Sequence, residues 1–204
     1  MSRKRTAILI SGRGSNMAAL IVAARAPDFP AEIVLALSNK PDAAGLSLAK
    51  NAGVAAAAVD PKIYAGRDEF EGSMQTLLDI HRIELICLAG FMRVLSASFV
   101  VRWRNRIINI HPSLLPAFRG LDTHARALAA GVKIHGCTVH FVEPELDAGP
   151  IIAQSATAVL DDDTPETLAA RVLEKEHELY AQALRLVAAG RVRIEGGRTR
   201  IMAA

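Results

Sequence analysis

In the stretch Ala7-Ile8-Leu9-Ile10-Ser11-Gly12-Arg13-Gly14-Ser15-Asn16, an apolar run leads through a glycine-rich turn into a segment with helical periodicity. A strand followed by such a turn and a helix exposes backbone N–H groups at the helix N-terminus, and these groups attract phosphate. Gly12 and Gly14 supply permissive backbone dihedrals, while Ser15 and Asn16 add side-chain donors. The stretch therefore predicts an α/β fold with a phosphate-binding turn, the alternative being a tight turn without a ligand.

The glycine pattern does not complete the dinucleotide-binding fingerprint. Its third glycine would fall at Met17, and no acidic residue follows the second predicted strand, which ends Ser38-Asn39-Lys40. The turn therefore favours a mononucleotide-type phosphate over NAD.

Outward from this turn, short apolar runs alternate with helix-period segments, which is typical of a mostly parallel α/β sheet. The predicted strands are 6–11, 32–38, 54–59, 85–89 and 107–111, and the intervening helices are 16–26, 43–51, 68–81 and 96–103. Beyond these, strands at 136–142 and 150–159 can pair antiparallel across a turn, and a long helix begins at Thr164-Pro165 and runs to about Gly190. We expect a Rossmann-like twisted sheet with helices on both faces and an antiparallel C-terminal part.

Length and composition favour one globular domain over 1–204. The chain has 204 residues, of which 51% are hydrophobic and 22% charged. The formal net charge is only +3, and the basic residues lack interleaved aromatic side chains, so we expect small anionic partners rather than nucleic acid. The longest apolar run, 54–59, is too short to span a bilayer.

The two cysteines predict a reducing compartment. Cys87 and Cys137 have no metal-type spacing, and no signal-peptide core forms because Ser11-Gly12 interrupts the first apolar run. The sequence therefore indicates reduced thiols in a cytoplasmic protein.

Two polar side chains inside the apolar strand 107–111 are candidates for catalysis. Alternate residues of a strand share a face, so Asn109 and His111 point the same way. Pro112 removes a backbone donor and ends the strand, which places the pair where open α/β sheets bind ligands. An amide donor beside an imidazole suits an oxyanion and a moving proton, but satisfied structural polar groups are equally consistent with the spacing.

A carboxylate lies on the apolar side of the last predicted helix. Glu176 is four residues after Val172 and three before Leu179, on a stripe that continues through Leu168 and Ala183. A buried carboxylate is costly unless it is paired. Glu176 therefore either meets an internal arginine or lies at a cleft edge, where it binds a donor or cation of a ligand.

Asp147 lies in the turn-rich segment 145–150, and a carboxylate near His111 would orient the imidazole and favour its protonated form. The sequence by itself does not establish that proximity. His124, His135 and His140 raise the alternative of a metal site, which we disfavour because none has the spacing of a known zinc motif.

Four motifs together give the chain a close resemblance to the folate-dependent formyltransferase family, and specifically to the phosphoribosylglycinamide formyltransferases of purine synthesis. The resemblance extends in order over nearly the whole chain. The motifs are Ile10-Ser11-Gly12-Arg13-Gly14-Ser15-Asn16, Leu88-Ala89-Gly90-Phe91-Met92-Arg93-Val94-Leu95, Asn109-Ile110-His111-Pro112-Ser113-Leu114-Leu115-Pro116 and Glu145-Leu146-Asp147-Ala148-Gly149-Pro150.

The resemblance implies a role for each matching residue. Asn109, His111 and Asp147 would be catalytic; Glu176 would contact the glycinamide end of the substrate. Binding of the substrate phosphate is implied for Gly14, Ser15 and Asn16, and folate binding for Arg67, Met92, Arg93, Val94 and Leu95. The N-terminal half, about 1–105, would then bind phosphate, and the rest, about 106–204, would carry folate and catalysis.

The implied reaction uses 10-formyltetrahydrofolate as cosubstrate and glycinamide ribonucleotide as acceptor, without a metal, nucleic acid or membrane. Two other functions stay open: a 10-formyltetrahydrofolate hydrolase with the same trio, and a non-catalytic nucleotide-binding module. The oligomeric state is also open, a homodimer included.

Overall fold

The computed structural model describes residues 3–203. Its strands are β1 (Lys4–Ile10), β2 (Ala31–Ser38), β3 (Ala55–Ala58), β4 (Leu85–Leu88), β5 (Ile107–His111), β6 (Ile134–Phe141), β7 (Ile151–Ala158), β8 (Val192–Glu195) and β9 (Arg198–Ile201). Its α-helices are α1 (Ser15–Ala23), α2 (Ala44–Asn51), α3 (Arg67–Ile80), α4 (Ala97–Arg102), α5 (Thr123–Ala129) and α6 (Pro165–Ala188), and a 3-10 turn covers Pro61–Ile63.

Seven strands form one sheet in the order β3-β2-β1-β4-β5-β6-β7. The first five strands in this order are parallel to one another, whereas β6 runs antiparallel to β5, and β7 antiparallel to β6. This arrangement confirms the predicted fold class, including the antiparallel C-terminal part.

The sheet is covered by apolar side chains on both faces, as the alternation along β1 requires. Ile8 and Ile10 pack into a core that includes side chains of α1 and α6, while Ala7 and Leu9 pack into a second core with α3 and α4. All four are fully buried. Two separate cores explain why the parallel strands are continuous apolar runs rather than alternating ones.

Helix α6 begins as predicted and spans the sheet. Thr164 caps it, its hydroxyl accepting a hydrogen bond from the backbone N–H of Thr167, and Pro165 is the first helical residue. The fully buried Tyr180 lies with its hydroxyl 3.0 Å from the carbonyl oxygens of both Leu88, in β4, and Ile108, in β5. This side chain joins the helix to the two central strands, at the last residue of β4 and the second residue of β5.

Some elements were not predicted. Helix α5 has only seven residues, and its N-cap Asp122 has a left-handed φ of 55° and makes no side-chain cap hydrogen bond. The β8–β9 hairpin forms a small separate sheet, whose Thr199 hydroxyl donates to the carbonyl of Ile151 in β7. Across residues 3–203, no helix combines the length and hydrophobicity needed to cross a membrane.

Candidate active site

The carboxyl end of β5 carries the predicted catalytic pair. Asn109 is half-buried and His111 is 5% exposed, and the two alternate with the buried Ile108 and Ile110. The neighbouring strand β6 sets their surroundings. Its His140 is opposite Asn109 and its Thr138 is opposite His111, so β6 faces the pair with polar side chains.

Asp147 meets His111, the contact that the sequence analysis left open. Its Oδ2 lies 3.4 Å from Nδ1 of His111, and both side chains are almost fully buried. The same oxygen accepts a hydrogen bond of 2.9 Å from the backbone N–H of Gly120. Asp147 adopts a φ of 49°, a left-handed conformation that aspartate tolerates better than most residues.

The second ring nitrogen of His111 is also engaged. Nε2 lies 3.0 Å from the carbonyl oxygen of Phe118. Both neighbours of the ring, a carboxylate and a carbonyl, are acceptors, and only the doubly protonated imidazolium donates to both at once. The ring is therefore held between two acceptors, one at each nitrogen.

His140 orients Asn109, a contact that the sequence does not predict. Its Nδ1 donates to the backbone carbonyl of Phe141, 2.8 Å away, and burial lowers the pKa of the ring. The neutral ring then has its lone pair on Nε2, which accepts from the Asn109 amide nitrogen at 3.2 Å. This contact fixes which end of the Asn109 amide is the donor. Predicting this contact requires the register of β6 on β5, which places His140 opposite Asn109.

The half-buried His124 and the buried His135 form a separate pair. His124 and His135 pack edge to face with ring centroids 5.2 Å apart, and Phe118 packs on His135. Burial lowers the pKa of His135 to about 4, with a smaller effect from His124. Across residues 3–203, no three His, Cys, Asp or Glu side chains are arranged to hold a metal ion.

The glycine-rich turn forms a cavity of about 330 Å³ at the other side of β4. It is lined by residues 11–16 with Ala89, Gly90 and Met92. Gly14 precedes α1 with a φ of 77°, and a Cβ there would lie 3.0 Å from both the Cα of Gly45 and the Cε of Met17. The first backbone N–H groups of α1 therefore border a cavity large enough for a small molecule that carries a phosphate.

Glu176 is 8% exposed and its partner is Asn16 rather than an arginine. The Asn16 amide nitrogen donates to Oε2 of Glu176 at 2.6 Å, and Asn16 Oδ1 has no partner among the described residues. Burial raises the pKa of Glu176, and the Asn16 hydrogen bond opposes that effect. Of the two alternatives for Glu176, the internal ion pair is absent among residues 3–203.

The predicted folate turn lies between β4 and α4. Met92, Arg93 and Val94 are exposed, whereas the Leu95 side chain is in the second core and leaves only its backbone at the turn. The Arg93 guanidinium lies 5.2 Å from the centroid of the Phe70 ring. Arg67, predicted to lie near the folate tail, is the exposed first residue of α3.

The profile of the formyl transferase family matches residues 4–184. The chain belongs to this family. It is 39% identical to the phosphoribosylglycinamide formyltransferase of Haemophilus influenzae, a match that covers 94% of this chain and 91% of that protein. It is 49% identical to the trifunctional purine biosynthetic protein adenosine-3 of Gallus gallus over 95% of this chain, but it spans only 19% of that relative's length.

The fold has a close counterpart among solved structures. The crystal structure of glycinamide ribonucleotide transformylase 1 from Symbiobacterium toebii matches with a TM-score of 0.96 and 45% identity, covering 98% of this chain and 95% of that one. The family resemblance inferred from the four motifs is therefore confirmed.

Proposed function

We propose that this chain transfers the formyl group of 10-formyltetrahydrofolate to the amino group of N1-(5-phospho-D-ribosyl)glycinamide, a step of de novo purine synthesis. Support comes from the named formyltransferases among its relatives and from the site at the end of β5. The single observation that carries the proposal is the buried contact of 3.4 Å between His111 and Asp147, beside the donor Asn109.

The reaction is a direct transfer without a covalent enzyme intermediate. The substrate amine attacks the formyl carbon on N10 of the folate, forming a tetrahedral oxyanion, and the carbon–N10 bond then breaks as a proton passes from the amine to N10. Asn109 stabilises the oxyanion with the N–H that it does not donate to His140. His111, protonated and held by Asp147, stabilises the same charge and assists the proton.

The contact at Nε2 of His111 suits this role. The Phe118 carbonyl occupies that nitrogen in the structure, and an oxyanion is a stronger acceptor for the same proton. Replacement of the carbonyl by the oxyanion leaves Asp147 in place at Nδ1. Holding both cosubstrates in the site supplies the entropic part of catalysis.

Substrate binding divides between the two sides of β4. The phosphate binds to Gly14, Ser15 and Asn16 through the backbone N–H groups at the start of α1, and Glu176 contacts the glycinamide end. The folate lies against Met92, Arg93, Val94 and Leu95, with its tail towards Arg67. Glu176 and Asn16 come from opposite ends of the chain, which supports one catalytic domain over 1–204 rather than two independent halves.

The remaining assignments follow from this activity. The partners are the two small molecules, and neither nucleic acid, membrane nor metal takes part. A cytoplasmic location suits purine synthesis and the two buried free cysteines, Cys87 and Cys137. A homodimer is one assembly consistent with the proposal, and sedimentation of the purified protein measures it.

The decisive experiment is an assay of purified protein with both substrates, following the change in folate absorbance on deformylation. Formylated ribonucleotide should accumulate in step with tetrahydrofolate, and no formate should appear when the ribonucleotide is omitted. Formate release without the acceptor would identify a hydrolase instead. Binding of both ligands without turnover would identify a non-catalytic module.

A further inference from the structure

The exposed turn 92–95 is held at both ends by buried polar side chains. At its beginning, the backbone N–H of Met92 donates to the hydroxyl of Ser11 at 2.7 Å, and that hydroxyl donates to Asn39. At its end, Ser96 is bound by Glu71 of helix α3. The conformation of the turn thus depends on contacts that lie outside it.

Glu71 makes an unusual contact for a glutamate in the middle of a helix. It is 5% exposed, and no cation pairs with it among residues 3–203. One carboxylate oxygen accepts from the backbone N–H of Ser96 at 2.7 Å, and the other accepts from the Ser96 hydroxyl. Since a buried carboxylate needs such donors, the geometry of Glu71 and that of Ser96 are tied to each other.

The hydrogen bonds between Glu71 and Ser96 also fix the backbone around Ser96. Its hydroxyl also accepts a hydrogen bond from the backbone N–H of Phe99 at 3.1 Å, so Ser96 is the N-cap of helix α4. Ser96 directly follows Leu95, so its backbone N–H belongs to the peptide that closes the turn. Fixing this N–H therefore fixes the direction in which the Leu95 carbonyl points.

The helix that carries Glu71 also contacts the turn directly. Phe70, its neighbour, lies under the Arg93 guanidinium, and Arg67 begins the same helix. Helix α3 therefore supports both the side chains and the backbone of the turn.

We propose that Glu71 is a positioning residue for folate binding: by holding both donors of Ser96, it fixes the turn 92–95 in the conformation that receives the pterin. The inference rests on the proposed function, because it assigns the folate to this turn.

A control residue on the same helix distinguishes the positioning role of Glu71 from a general structural role. One helical turn further along α3, Gln75 accepts from the indole N–H of Trp103 at 2.7 Å and so joins α3 to α4 without touching the turn. Gln75 is 8% exposed, much like Glu71. Gln75→Leu is therefore a matched control that removes a buried polar link between the two helices.

The test compares steady-state kinetics of Glu71→Gln, Gln75→Leu and wild type. Glutamine keeps the size of Glu71 but leaves one acceptor oxygen for two donors. We expect the KM for 10-formyltetrahydrofolate to rise about tenfold in Glu71→Gln, the usual scale for a lost charge-assisted hydrogen bond, while kcat and the KM for the ribonucleotide stay within about twofold. Calorimetric titration with tetrahydrofolate should show the same weakening.

Gln75→Leu should lower the melting temperature without changing the KM for the folate. Ser96→Ala removes one of the two donors, so it should raise the same KM less than Glu71→Gln, and the two changes together should be non-additive. This variant also carries the test if Glu71→Gln does not fold.

An unchanged folate KM in Glu71→Gln, or an equal rise in Gln75→Leu, overturns the positioning role. If the wild type neither binds tetrahydrofolate nor transfers a formyl group, the proposed function fails instead, so the two failures are distinguishable.

Discussion

Asn16 donates its side-chain amide to Glu176 at 2.6 Å, although 160 residues separate the two in the sequence. The contact joins the start of α1 to the middle of α6, on one face of the sheet. It leaves Asn16 Oδ1 without a partner among the described residues, next to a carboxylate whose pKa is raised by burial. A ligand amine that reaches this point has enough N–H donors to bind both Asn16 Oδ1 and the carboxylate.

Glu176→Gln should weaken the ribonucleotide and spare the folate. Loss of the charge should raise the KM for glycinamide ribonucleotide about tenfold, since a charge-assisted hydrogen bond becomes a neutral one. Separate titration of each ligand measures this. Unaltered ribonucleotide affinity would remove Glu176 from the binding site.

Glu176→Gln should also change how the stability of the protein depends on pH. The folded pKa of Glu176 lies above its ordinary value of 4.5, so the folded state holds the proton more tightly than the unfolded state does. The unfolding free energy of the wild type should therefore fall as the pH rises from about 4.5 through the folded pKa. Glu176→Gln lacks this loss, so at pH 8 its melting temperature should equal or exceed that of the wild type; a large drop would indicate a hidden ion pair.

Gly14→Ala should weaken phosphate binding in addition to lowering the stability of the protein. The residue has a φ of 77°, and its new Cβ would press on Gly45 and Met17 beside the first N–H groups of α1. Gly53→Ala is the control, because Gly53 has a similar φ of 80° but open space around its Cβ. Both variants should lose about 1 kcal/mol of stability from the left-handed backbone, Gly14→Ala should lose more because its Cβ is crowded, and only Gly14→Ala should raise the ribonucleotide KM.

Asn109→Ala should lower kcat by about 10²–10³, the usual cost of removing one oxyanion donor. Ligand affinities should change far less, because the interaction strengthens mainly in the transition state. Single-turnover kinetics with both ligands saturating measure the chemical step directly. A near-normal rate would assign the donor role to another group.

Asp147→Asn should lower kcat strongly and change its pH profile. The substitution keeps the shape and an acceptor for the Gly120 N–H, but it removes the charge that stabilises a protonated His111. A profile of unchanged shape would make Asp147 structural.

His135 should make the protein less stable in acid. Burial lowers its folded pKa from 6.5 to about 4, so between these values the unfolded state binds the proton and the folded state does not. Stability should thus rise with pH across this window, with a contribution of about 1–2 kcal/mol lost at pH 5. Urea unfolding at pH 5 and 7 should show a smaller pH difference in His135→Gln than in the wild type; equal differences would contradict the assignment.

The sequence predicted what depends on local pattern. The alternation of Asn109 and His111 with isoleucines, and the strand end at Pro112, predict that both side chains lie on one face at the end of β5, as they do, because strand geometry follows directly from a period of two. The same holds for Glu176, whose helical spacing put it on the buried side of α6.

What the sequence did not predict depends on contacts between distant elements. The role of His140 requires the register of β6 on β5, which local pattern leaves undetermined. The Asn16–Glu176 contact requires the packing of α6 on α1, and the family resemblance had assigned Asn16 to the phosphate alone. Asp147 reaches His111 only through a left-handed backbone conformation within a turn.

The position of Tyr180 has a mechanical consequence. One hydroxyl, buried between the carbonyls of Leu88 and Ile108, couples the strand before the folate turn to the strand that ends in His111. The loops that follow these two strands therefore share one buried anchor, the Tyr180 hydroxyl. Under the proposed function, this anchor sets the spacing between the folate turn and His111 during folding, before either cosubstrate binds.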